Sequence, residues 1–160
     1  MVHADLEQVL IWRNHVNVRR YMYTQHEIKL NEHKSWFECA ITDSKKHLLI
    51  FEENRQPMGY VNFNEAEKGG IMNWGFYVAP NAPKGSGRKL GCAALNHAFI
   101  KLKFHKVCGQ TLYYNQRSIV LHQKLGFQQE GLLRNQHFDG NSYHNVIFFG
   151  LLSHEWKPSL

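Results

Sequence analysis

Apolar residues recur at helical spacing through the first part of the chain and then shift to strand-like runs. Residues 5–22 set Leu6, Val9, Leu10, Trp12, Val16 and Met22 at intervals that fit one or two short helices. A second helical segment opens at Asn31, a residue type suited to capping, and gathers His33, Trp36, Phe37, Ala40 and Ile41 on one face. The period then shortens. Residues 48–51 read as a buried strand, 54–57 as a turn, 58–64 as a strand, 68–70 as a turn and 71–79 as a third strand, together an antiparallel meander. After two prolines comes a glycine loop and a long helix carrying Leu90, Ala94, Leu95, Ala98, Phe99 and Leu102, expected to end near Phe104. A strand over 107–114, a short helix over 116–125, a strand opening at Gly126 and a last strand over 142–152 complete the order. That order predicts an α/β (α+β) fold: a mixed, largely antiparallel central sheet flanked by helices.

Composition narrows the class. With 160 residues, 43% of them hydrophobic and 13% aromatic, the chain is expected to form one globular domain over 1–160. No apolar run approaches the roughly 20 residues that span a bilayer. The first residues lack a basic region followed by an apolar stretch, so the expectation is a cytoplasmic protein without membrane association. Three cysteines without a C-x-x-C pair predict reduced core residues, and eleven histidines without an H-E-x-x-H pattern predict no metal. The net charge of +6 calls for an anionic partner, nucleic acid or a phosphorylated small molecule. Basic residues are scattered except for Lys84, Arg88 and Lys89 around the glycine loop, which suits a polyphosphate better than a duplex. A basic nucleic-acid-binding domain without catalysis is the alternative from another class, but no binding module supports it.

The loop is the strongest local signal. A strand ending at Val78-Ala79 leads into K-G-S-G-R-K-L-G at the start of a helix. Glycines there let main-chain N–H groups and the positive helix end converge on one anion. Neither G-x-x-x-x-G-K-[ST] nor G-x-G-x-x-G is present. Further on stands N-x-x-S-x-x-L-H-x-K-x-G-F, starting at Asn115. The two motifs together resemble the acetyl-CoA elements of the GNAT superfamily of N-acetyltransferases. Gly85 and Gly87 occupy the glycines of its Q/R-x-x-G-x-G/A loop, with Ala82 replacing the leading Gln or Arg.

The resemblance implies the GNAT fold and acetyl-CoA as cosubstrate, without a metal. It implies that Lys84, Gly85, Ser86, Gly87, Arg88 and Lys89 hold the pyrophosphate, that Asn115 and Ser118 contact the cofactor arm, and that main chain around Phe76 and Val78 holds the thioester and pantetheine. In this family a neutral amine attacks the thioester directly, with no acyl-enzyme. His122 stands where many relatives carry a proton-donating Tyr, and a histidine near its usual pKa of about 6.5 could fill that role.

The segments W-R-N-H-V-N-V-R-R-Y-M-Y and I-K-L-N-E-H-K-S-W-F resemble the GNAT branch that acetylates the 4-amino group of a UDP-linked 6-deoxy amino sugar in pseudaminic acid biosynthesis, which feeds flagellin glycosylation. By that resemblance Arg13, Tyr23, His33 and Trp36 line the nucleotide-sugar site. Related branches acetylate protein N-termini or small amines, and these acceptors stay open. A polyamine favours an acidic site, which R-N-H-V-N-V-R-R does not supply. Where the nucleotide-sugar branch can carry an acid, Gln110 stands here, so deprotonation falls to a histidine or to water held by Gln110, Asn62, Asn64 or Asn73. Asn62 and Asn64 alternate on one strand and share a face. An exposed edge strand is the expected basis of any homodimer.

Overall fold

The computed structural model describes residues 1–158. A short 3-10 turn at His3–Asp5 precedes α1 (Leu6–Asn14), α2 (Val16–Arg19) and α3 (Leu30–Ile41). Then come β1 (Lys46–Glu53), β2 (Gln56–Glu67), β3 (Ile71–Val78) and α4 (Ser86–Asn96), which runs into a π-helical turn at His97–Lys101. β4 (Lys106–Leu112), α5 (Gln116–Lys124), β5 (Gln128–Phe138) and β6 (Tyr143–Leu152) follow. The six strands form one sheet in the order β1-β2-β3-β4-β6-β5. β1 pairs antiparallel with β2, β4 with β6 and β5 with β6, while β3 and β4 pair in parallel from Ile71 opposite Lys106 to Asn73 opposite Cys108. This is the mixed, mostly antiparallel sheet with flanking helices that the sequence predicts.

Several boundaries differ for identifiable reasons. α3 starts at Leu30 with Lys29 at the cap, because the His33 amide donates to the Lys29 carbonyl at 3.0 Å, so Asn31 lies inside the first turn. That helix buries His33, Phe37 and Ala40, leaving Trp36 and Ile41 exposed at its flank. The long helix expected to reach Phe104 changes pitch after Asn96, where the Leu102 amide reaches back to the His97 carbonyl and the Asn96 side chain accepts the Trp156 indole N–H at 2.9 Å. Gly126 does not open a strand. At φ 91° it ends α5, and its amide and that of Phe127 return to Gln123 and His122. Cys39 is exposed and Cys92 and Cys108 are half-buried, so the cysteines are not the core residues expected.

The chain divides into two compact units, one of residues 1–64 and 75–90, the other of 65–74 and the described residues from 91 on. In the first, Val9, Trp12, Tyr60 and Ala79 form a buried cluster with Leu48, Ile50 and Tyr77 packed around it. Gly59 is required there, since a Cβ would strike Leu90 and the Tyr77 carbonyl. In the second, Val107, Leu112, Val146, Phe149 and Leu151 are buried, each large side chain contributing about 1.5–3 kcal/mol of transfer free energy. Among the described residues no helix is long and apolar enough to cross a membrane.

Candidate active site

In the first unit the loop before α4 has the geometry of an anion cradle. Gly85 sits at φ 98°, a conformation that side chains disfavour, and its Cβ direction is open space. The Ser86 amide donates to Pro83 and those of Arg88 and Lys89 to Gly85, while the amides of Gly85 and Gly87 make none of these bonds. Ser86 is 2% exposed, yet its Oγ has no hydrogen-bond partner. A buried hydroxyl without a partner costs about 1–3 kcal/mol, and here it lies at the positive end of an 11-residue helix. Lys84, Arg88 and Lys89 are exposed around it, and Lys89 forms an ion pair with Glu53. These residues fit the pyrophosphate of acetyl-CoA. Phe76 and Val78 lie half-buried on β3 in the same unit.

The same unit holds a second group of polar atoms without partners. Arg13, at the end of α1, donates from Nη2 to the Thr24 carbonyl at 2.8 Å, while its buried Nη1 bonds to nothing. His33 on α3 is buried with Nε2 unpaired, and the Tyr60 hydroxyl on β2 is likewise buried and unpaired. Ring contacts link His33 to Tyr60, since His33 stacks on Trp36 at 5.1 Å, Trp36 meets Tyr60 edge-on at 6.3 Å, and Tyr60 lies 5.2 Å from Tyr77, while Arg13 is within electrostatic reach of His33 and Tyr77. Burial lowers the His33 pKa, as does the nearby Arg13 guanidinium, against a hydrogen bond from the ring to the Leu6 carbonyl that raises it. Burial raises the Tyr60 and Tyr77 hydroxyls far above their usual value, so both remain protonated donors. The structure brings Arg13, His33 and Trp36 into one neighbourhood, and Tyr60 and Tyr77 share it. Tyr23 lies exposed in the segment between α2 and α3. Asn62 and Asn64 face the same side of β2, opposite Leu48 and Lys46, with the Asn62 amide against Gly75.

In the second unit Asn115 caps α5, its Oδ1 accepting from the Ser118 amide at 3.3 Å. His122, one turn further on, is 1% exposed and stacks on Phe149 at 4.7 Å. Its Nε2 accepts the Trp74 indole N–H at 3.1 Å, and its Nδ1 donates to the Ser118 carbonyl at 2.8 Å. Burial pushes its pKa down to about 4, only partly opposed by the Ser118 bond. The expectation that His122 titrates near neutrality is therefore corrected. Gln110 is exposed on β4, and Asn73 is half-buried on β3 opposite Cys108. The Thr111 hydroxyl, which the sequence did not single out, is buried without a partner. Among the described residues no group of three or more His, Cys, Asp or Glu is placed to hold a metal ion.

Residues 1–128 match the family described as Acetyltransferase (GNAT) domain. The SPbeta prophage-derived uncharacterized N-acetyltransferase YokL of Bacillus subtilis (strain 168) is 29% identical over 131 residues, 79% of this chain and 73% of its own. The acetyltransferase PseH of Campylobacter jejuni is 29% identical over 125 residues, 77% of this chain and 76% of its own. The crystal structure of spermidine N-acetyltransferase from Vibrio cholerae in complex with CoA and spermine superposes with a TM-score of 0.89 at 22% identity, covering 97% of this chain and 94% of that one, a likeness of fold.

Proposed function

Given that this chain belongs to the GNAT family and is an acetyl-CoA-dependent N-acetyltransferase, we propose that its acceptor is the 4-amino group of a UDP-linked 6-deoxy amino sugar, as in pseudaminic acid biosynthesis. The observation that carries this reading is the set of buried, unpartnered atoms at Arg13, His33 and Tyr60. A guanidinium and a phenol are donors that match phosphate and sugar oxygens, and His33 can donate or accept. The resemblance of the N-terminal segments to the nucleotide-sugar branch supports the same acceptor class, and the acetyltransferase PseH is similar in sequence over 77% of this chain. In this reading residues 1–160 are one catalytic domain working on small molecules in the cytoplasm.

Acetyl-CoA, when bound, supplies an acetyl group activated as a thioester. Lys84, Arg88 and the amides of Gly85 and Gly87 would hold its phosphates, and Ser86 Oγ would gain the partner it lacks. In the first unit main chain at Phe76 and Val78 would meet the arm, and in the second unit Asn115 and Ser118 are the residues that the family resemblance assigns to it. In this reading the amine's proton passes to water, because Gln110 is an amide that cannot itself act as a base near neutral pH.

A second reading, a polyamine acceptor, draws on the fold shared with the Vibrio cholerae spermidine enzyme. It fits the cluster poorly, because a cation placed against the Arg13 guanidinium is repelled. Arg13→Ala distinguishes the two. Removing a charged hydrogen-bond donor from an anion site raises the acceptor's KM by about tenfold or more and leaves acetyl-CoA's KM within about twofold. Equal effects on both substrates, or a fall in the acceptor's KM, reject the anionic acceptor.

A further inference from the structure

Trp74, on β3, makes a buried hydrogen bond to a residue 48 positions away in sequence. The bond belongs to a chain of donors with one direction. The Trp74 indole N–H donates to His122 Nε2 at 3.1 Å, His122 Nδ1–H to the Ser118 carbonyl at 2.8 Å, and the Ser118 amide to Asn115 Oδ1 at 3.3 Å. The chain therefore runs from β3 to the cap of α5. Its middle member has little freedom to move: Phe149 stacks on the imidazole at 4.7 Å and Phe127 meets it edge-on at 4.9 Å. Beneath it, Gly109 on β4 must lack a side chain, since a Cβ there would collide with His122 Nε2 and come within 2.9 Å of Trp74 Nε1. The indole is fixed in turn by stacking on Phe127 at 5.2 Å.

Two consequences follow from the directions of these bonds. The indole N–H can only donate, so Nε2 must be the bare nitrogen and Nδ1 the protonated one. The imidazole is neutral, and its one proton is engaged by the Ser118 carbonyl. Such a ring transmits position well and delivers a proton poorly.

We infer that Trp74 and His122 are positioning residues, a buried relay that sets the first turn of α5 so that Asn115 and Ser118 meet the arm of acetyl-CoA. The inference rests on the assignment of those two residues to the cofactor. Position 122 then acts through affinity for acetyl-CoA and not through proton transfer to the leaving thiolate.

The test is a double-mutant cycle read by calorimetric titration of acetyl-CoA, alongside kcat and KM with whichever amine is turned over. Trp74→Phe keeps an aromatic ring for stacking and removes only the donor, and His122→Phe removes the relay's middle. Each single change is expected to raise the acetyl-CoA Kd about tenfold, and the double change by no more than either, because residues acting through one network are non-additive. His122→Asn, whose amide can restore the donor to Ser118, is expected to recover part of the affinity. The nitrogen chemical shifts of His122 in the intact protein should show the Nδ1–H tautomer, unchanged from pH 5.5 to 8. An Asn115→Ala variant with unaltered Kd overturns both the cofactor assignment and the inference. An altered Kd in Asn115→Ala beside unaltered Kd in Trp74→Phe and His122→Phe overturns the relay alone. So does a His122→Phe enzyme with normal Kd and a kcat reduced by roughly 10²-fold or more, the signature of a lost general acid.

Discussion

Protonating His122 inside the fold places a charge among Phe127, Phe149 and Trp74, which is why burial holds its pKa near 4. In the unfolded chain the same group binds its proton at a pH of about 6.5. Between those values the unfolded state holds more protons, so stability is complete above about pH 6.5 and declines as the pH falls toward 4, by about 3 kcal/mol from this one residue. His33 is lowered too and adds to the decline in the same direction. Denaturant unfolding at pH 7.5 and 4.5 should show a smaller loss for His122→Phe than for the parent protein. Equal losses mean that the imidazole is not the buried neutral group described. The sequence did show that position 122 matters, through its place in N-x-x-S-x-x-L-H. It did not show the burial, because that comes from Trp74 and Phe149, which no local pattern connects to α5.

At the scale of elements, the loop before α4 was the most legible part of the chain. Two glycines flanking Ser86, set between a strand and a helix, have few structural outcomes, and the positive φ at Gly85 is one that glycine spacing anticipates. The buried Ser86 Oγ leads to a two-sided prediction. Ser86→Ala removes an unsatisfied polar atom, so the free protein should become more stable, by about 1 kcal/mol. Acetyl-CoA should bind several-fold more weakly, since the hydroxyl's only partner is then the ligand. Thermal unfolding and calorimetry on the same sample check both halves, and a variant both less stable and normal in affinity refutes the cradle. The π-helical turn after Asn96 was not legible, because it accompanies contacts to Trp156 far along the chain. The start of α3 was misplaced by two residues for a related reason: a favourable cap residue at Asn31 lost to main-chain bonding from Lys29.

For the whole molecule, the alternation and turn signals were enough to give the order of elements and the mixed sheet, since strand number and helix placement follow from periodicity. The partly satisfied cluster of Arg13, His33 and Tyr60 was only half visible. Arg13 and His33 stood in a recognisable segment, whereas Tyr60 joins them through its place on β2 and its contacts with Trp36 and Tyr77. That cluster is what favours an anionic acceptor over a polycation, and acceptor choice is the central claim. The most direct measurement is kcat/KM for a UDP-linked 4-amino-6-deoxy sugar and for spermidine, under identical conditions with saturating acetyl-CoA and release of free thiol as the signal. A site whose buried polar groups are matched by one substrate and left unpaired by another discriminates by about 10²-fold or more, so the sugar nucleotide should be preferred by at least about that factor. Equal efficiency, or a preference for spermidine, contradicts the account.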